Sequence, residues 1–133
     1  MKQLSIFAEN KKGCMMHITE ILARENINIL GSVNYDSAEY GIIRMIVSDP
    51  EKGRDALIAE GYMCKLMTVL GAELEDEVGN LNSLLKVFDE TNVNVNYIYL
   101  SFNRETGKPI LIIHTDEVMD VRDCLESRGF MVL

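Results

Sequence analysis

Asn10-Lys11-Lys12-Gly13 returns as Asp76-Glu77-Val78-Gly79, and Asn26-Ile27-Asn28-Ile29 returns as Asn92-Val93-Asn94-Val95, each pair 66 positions apart. Leu4 and Glu9 meet Leu70 and Glu75 at the same offset. Further on, Arg54-Asp55-Ala56-Leu57 matches Arg122-Asp123-Cys124-Leu125, and Gly61-Tyr62-Met63 matches Gly129-Phe130-Met131, now 68 apart. The 133 residues therefore read as one module written twice, 1–67 and 68–133, with two residues gained inside the second copy. A duplicated module of this kind leaves little room for a separate catalytic domain. A unit of about 66 residues buries only ~60% of the surface its unfolded chain exposes, so the copies are expected to pack on each other.

The order of elements follows from hydrophobic spacing and punctuation. Gln3 to Ala8 is a short β-prone run, broken by the polar loop Glu9 to Gly13, after which Met15, Ile18, Ile21 and Leu22 recur at helical spacing. Asn26-Ile27-Asn28 ends that helix. Ile29 to Tyr35 returns extended, Asp36 to Tyr40 turns, and Gly41 to Ser48 is the most apolar strand. Ser48-Asp49 before Pro50 predicts a helix start with proline at the first helical position; Gly61 stops the helix, and Tyr62 to Met67 is a last strand. In the second copy Leu81, Leu84, Leu85 and Phe88 fall on one helix face. Val95 to Phe102 and Pro109 to His114 form a hairpin around Asn103 to Gly107, where the inserted residues fit. Asp116 is expected to cap a helix through Arg128, with Phe130 to Leu133 closing the copy. A βαββαβ order occurring twice predicts an α+β fold of two ferredoxin-like modules side by side. Their sheets are expected to join into one eight-stranded antiparallel sheet with four helices on one face.

With this order, a β1–α1 loop of the form Asp or Asn, two residues, then Gly, and an Asn-Ile-Asn-Ile lead into the second strand, the chain resembles tandem ACT-domain proteins over essentially its whole length. The resemblance implies an allosteric, regulatory protein whose paired domains bind a small effector, usually an amino acid, at the interface between them. The effector sits between the β1–α1 loop of one domain and the second strand of the other. Carried onto this chain, one site combines Asn10, Gly13, Cys14 and Met15 with Tyr97, Tyr99 and Ser101. Its counterpart combines Asp76, Gly79, Asn80 and Leu81 with Asn34, Tyr35 and Asp36.

The chemistry of the ligand agrees with that placement. A free amino acid offers a carboxylate and an ammonium together, and a glycine loop opening a helix presents unpaired amides and the positive end of the dipole to the carboxylate. Asn10, Asp76 or a strand carbonyl can accept from the ammonium, with the charged Asp76 forming the stronger hydrogen bond. The two loops are not twins, since Asn10 stands with two lysines and Asp76 with Glu77. Ligand is expected first at the Asp76 to Asn80 loop, and the acidic residues with Asp36 lean toward a polar or cationic amino acid such as histidine. The plainer reading of Gly13 and Gly79 is a turn before a helix.

Composition bounds the partners. The net charge of −8 and pI near 4.7 argue against nucleic acid and anionic membranes, which bind through clustered Lys and Arg. No apolar run approaches the ~20 residues of a membrane helix. Three widely spaced cysteines and the lack of a leader pattern point to a reducing cytoplasm. Cys14 lies at a helix start, where a thiol can be activated, but no neighbouring base belongs to its motif. His17 and His114 share no metal-ligand spacing, so neither a metal, a cofactor nor a catalytic residue is expected. Two readings remain: a non-enzymatic amino-acid-binding regulatory protein, or a regulatory subunit of an amino-acid biosynthetic enzyme, like an acetolactate synthase small subunit, acting through protein contact. A homodimer is open in either.

Overall fold

Strand β1 (Lys2–Glu9) turns Leu4, Ile6 and Ala8 to one face and buries all three. That alternation places helix α1 (Cys14–Arg24) above them, with Ile18, Ile21 and Leu22 buried against the sheet as the spacing predicts. The chain, seen in a computed structural model describing residues 1–9, 11–36 and 40–133, continues as β2 (Ile29–Asp36), β3 (Tyr40–Val47), α2 (Pro50–Ala59) and β4 (Met63–Thr68). The second copy is β5 (Leu70–Glu73), α3 (Asn80–Thr91), β6 (Tyr97–Phe102), β7 (Pro109–His114), α4 (Val118–Ser127) and β8 (Met131–Val132). Asn10 and the tip of the turn expected at Asp36 to Tyr40 lie outside the described residues.

The described strands form two four-stranded sheets of one topology, β2-β3-β1-β4 and β6-β7-β5-β8. Each copy is the ferredoxin-like βαββαβ module, an antiparallel sheet with both its helices on one face. In register, Glu9 lies opposite Tyr40 and Phe7 opposite Ile42; in the second sheet Glu73 lies opposite Ile110. The chain divides into two compact units, Lys2–Met67 and Thr68–Leu133, the second also holding Met1, whose backbone exchanges two 3.0 Å hydrogen bonds with Val69. One core gathers Leu4, Ile6, Ile18, Leu22, Met45 and Leu57; the other gathers Leu70, Leu84, Phe88, Leu111, Ile113 and Leu125.

Local signals account for most boundaries. Asp49 accepts from the Lys52 amide at 3.2 Å and Pro50 occupies the first turn of α2, as expected. After α1 and α3 the backbone passes through the left-handed region at Asn26 (φ 58°) and Asn92 (φ 55°), conformations that asparagine tolerates. Helix α4 corrects the expectation for Asp116, because the residue preceding it is Glu117 and no side chain caps it. The amide of Glu117 donates to Thr115 Oγ1 at 3.0 Å and its carboxylate accepts from the Asn94 amide at 2.7 Å, which delays the helix past the aspartate.

Gly53, within α2, sits tightly against the first core: a Cβ there would stand 3.2 Å from Leu4 Cδ1 and 3.4 Å from Leu22 Cδ2, so those side chains would have to give way. The equivalent position in α4 is Val121, fully buried in the second core. Among the described residues no helix is long and apolar enough to cross a membrane.

Candidate functional site

The first β1–α1 loop is tied by its own backbone. Lys11 N–H donates to the Glu9 carbonyl at 2.7 Å and Cys14 N–H to the Lys11 carbonyl at 3.2 Å, which wraps the chain into Gly13 at φ 84° and so into α1. Only glycine adopts this φ without strain. The helix begins without a side-chain cap, so its first-turn amides face the loop. Beside them opens a cavity of 710 Å³, lined by the end of β1 (Phe7, Ala8, Glu9), the loop and helix start (Lys11 to Cys14, His17), Tyr40, and Gly61 to Met63 ahead of β4.

Three polar side chains meet there. His17 Nδ1 lies 2.6 Å from the Tyr62 hydroxyl, with the rings 5.7 Å apart, and the imidazole tautomer sets which of them donates. Burial, then the negative charge that Cys14 carries when ionised and a hydrogen bond with it, push the Tyr62 phenol above its ordinary pKa. Cys14 itself is half-buried. At the rim the Lys11 ammonium pairs with Glu9, whose hydrogen bond raises the lysine's pKa. Sequence reading found Gly13 and Cys14 but not His17 or Tyr62. The doubled Gly61-Tyr62-Met63 and Gly129-Phe130-Met131 were the available signal, because in both copies this tripeptide forms a wall of the cavity.

The second copy repeats the backbone and changes the lining. Glu77 N–H donates to the Glu75 carbonyl at 2.9 Å, Asn80 N–H to the Glu77 carbonyl at 3.2 Å, and Gly79 has φ 90°. The corresponding cavity is 370 Å³ and is lined by Glu73, Leu74, Glu75, Asn80, Ser83, Lys108, Gly129, Phe130 and Met131. Each of these occupies the position equivalent to a lining residue of the first cavity. Lys108 Nζ lies 2.7 Å from Glu75 and 3.9 Å from Glu73, and the hydrogen bond to Glu75 raises the ammonium's pKa. Asn103 Nδ2 donates to Glu73 at 3.1 Å, and Asn80 Nδ2 to the Glu75 carbonyl at 2.8 Å.

The same glycine-capped loop and helix, on the same βαββαβ module, occurs twice. The family model for the ACT domain pair matches residues 1–129. The chain belongs to the ACT domain pair family. A crystal structure of protein BT0572 from Bacteroides thetaiotaomicron is similar to this ACT pair at 32% identity, with TM-score 0.90 over 99% of this chain and 90% of that one. The fold also resembles the regulatory subunit of aspartate kinase from Thermus thermophilus (13% identity, TM-score 0.69, 96% of this chain and 92% of that one). The regulatory subunit from Thermus flavus is similar too (16%, TM-score 0.64, 96% and 92%). No curated protein matches.

The residues expected to bind ligand in this ACT pair fall into loop and strand groups within each module. In the first module Gly13, Cys14 and Met15 form the loop and helix start, and a smaller hollow of 150 Å³ brings Cys14 and Met15 together with Asn34 of β2. Tyr35 is 63% exposed, and Asp36 lies opposite Gly41 at the end of the ladder. In the second module Asp76 and Gly79 are exposed, while Leu81 packs half-buried on the core. Tyr97, Tyr99 and Ser101 alternate along β6, with Tyr99 and Ser101 buried. Tyr97 stacks on His114 at 4.7 Å and on Tyr99 at 6.4 Å. Among the described residues no group of three or more His, Cys, Asp or Glu side chains is placed to hold a metal ion.

Proposed function

We propose that this ACT domain pair is a non-enzymatic regulatory protein that binds a free amino acid at its β1–α1 loops and passes the binding event to a partner, an enzyme of amino-acid biosynthesis. The observation that carries the reading is the open cavity beside the uncapped start of α1. Lys12 and the start of α1 line it and suit a carboxylate, and Glu9, paired with Lys11 at the rim, suits an ammonium. Gly13, Cys14 and Met15 are its loop-side contacts, with Asp76, Gly79, Asn80 and Leu81 at the equivalent loop. Ligand that binds one arrangement of the protein better than another shifts the population toward it, which is how a protein without chemistry of its own acts on a larger one. The three free thiols suit a reducing cytoplasm. The resemblance in fold to regulatory subunits of aspartate kinase supports an enzyme as the partner.

The test is a thermal-shift screen of the purified chain against the twenty amino acids. A ligand at 100 times its dissociation constant adds ~2.7 kcal/mol of stability, a plain upward shift in Tm. No shift with any of the twenty overturns the reading.

A further inference from the structure

We infer that, of the two pseudo-equivalent cavities, only the first takes ligand, and that it selects an amino acid with an aromatic side chain. This rests on the amino-acid-binding reading above and narrows it.

The selection comes from the walls. Glu9 lies opposite Tyr40 across β1 and β3, so Phe7, two residues before Glu9, is the diagonal neighbour of Tyr40 on the same sheet face. Both rings are solvent-exposed, Phe7 at 40% and Tyr40 at 58%, and they border the same cavity. Two adjacent exposed rings favour a flat apolar guest, since aromatic faces stack and pair edge to face. Tyr62 supplies a third ring, and its hydroxyl, bonded to His17 at 2.6 Å, offers a polar contact among them. A volume of 710 Å³ lies well within the roughly 300–1,000 Å³ of small-molecule sites.

The single occupancy comes from the other copy. Where the first cavity has Phe7 and Tyr40, the second has Glu73 and Lys108, and these are joined to each other and to Glu75 across the opening. Lys11 pairs with Glu9 alone at the exposed rim of the first cavity, whereas Lys108 bridges two carboxylates, Glu75 and Glu73, and Asn103 holds Glu73 in place. An incoming amino acid would have to break this pairing in order to enter a space about half as large, 370 Å³. It gains no aromatic pair in return.

Isothermal titration of the full chain with phenylalanine, tyrosine, tryptophan, leucine, lysine and histidine tests both halves. The aromatic amino acids are expected to bind with one ligand per chain, at least tenfold tighter than the other three. The double variant Phe7→Glu, Tyr40→Lys, which copies the second cavity onto exposed positions, is expected to lose at least tenfold in aromatic affinity, with an unchanged circular dichroism spectrum showing that it folds. Lys108→Ala is expected to leave aromatic affinity unchanged. Two aromatic ligands per chain, aromatic binding that survives the double variant, or a tenfold loss in Lys108→Ala each overturn the inference. Tightest binding of leucine, lysine or histidine also overturns it while leaving the amino-acid reading standing. Failure of all twenty amino acids removes that reading itself.

Discussion

The loop and helix start at Gly13 and the loop and helix start at Gly79 share their backbone down to the φ angles of 84° and 90°, yet their linings have parted at Cys14/Asn80, His17/Ser83, Tyr40/Lys108 and Tyr62/Phe130. The conserved part is what folding demands: a left-handed residue, a hydrogen-bonded loop, an apolar helix face. The divergent part lies at the margins of the cores, where Cys14, Tyr62 and Phe130 are only partly buried. Side chains around a cavity are the place where duplicated modules can differ without loss of stability, so function is sought where the copies disagree.

The sharpest check on this division is the core. Ile18 and Leu84 occupy equivalent positions and are both fully buried, so Ile18→Ala and Leu84→Ala should each lower stability by about 2–5 kcal/mol in urea denaturation. Markedly unequal losses would mean that the two cores are not packed alike. A difference should instead appear between β4 and β8, where Cys64 stands opposite Val132 in the repeat. Burial pushes the Cys64 thiol from 9.0 up to about 11, so at pH 8 its thiolate fraction is about 100-fold below that of an unshifted thiol. Iodoacetamide labelling followed by mass spectrometry should show its rate still climbing between pH 9 and 11. Because the unfolded thiol ionises first, any stability tied to this group is present below pH 9.0 and lost toward about 11. A labelling rate that levels off near pH 9 would contradict the burial.

At the loops, Gly13→Val and Gly79→Val should each cost about 1–2 kcal/mol from the left-handed backbone. Open space surrounds both positions, so neither loss reflects a clash. The pair should separate in ligand binding, which Gly13→Val abolishes and Gly79→Val leaves intact; the reverse would move the effector to the acidic loop. The smallest effect concerns the caps. Asp49→Ala should cost about 1 kcal/mol, whereas Asp116→Ala, ahead of the later-starting α4, should stay within about 0.5 kcal/mol. Equal losses in thermal denaturation would reinstate Asp116 as a cap.

The βαββαβ order was legible because its signals are local: Pro50 after Asp49, Asn26 and Asn92 at helix ends, Gly13 and Gly79 before helices. Each acts over one turn of chain. The start of α4 was missed because Thr115 and the distant Asn94 decide it, and neither belongs to a capping pattern. The cavity was half legible. Cys14 stood out by its position, but Phe7, His17, Tyr40 and Tyr62 are brought together by strand register and helix packing, not by spacing in the chain. The aromatic wall therefore had no sequence motif, while the acidic second loop was conspicuous in composition.

Gly53 also bears on how the chain reaches its native state. Tandem copies with matching strands risk exchanging elements while they fold, a characteristic failure of repeat proteins. Helix α2, bare where Leu4, Leu22 and Ile27 press in, would leave a void on the second sheet, and α4 with Val121 would collide with the first. Each helix thus carries a steric address for its own sheet, and packing at Gly53 and Val121 disfavours hybrid assemblies.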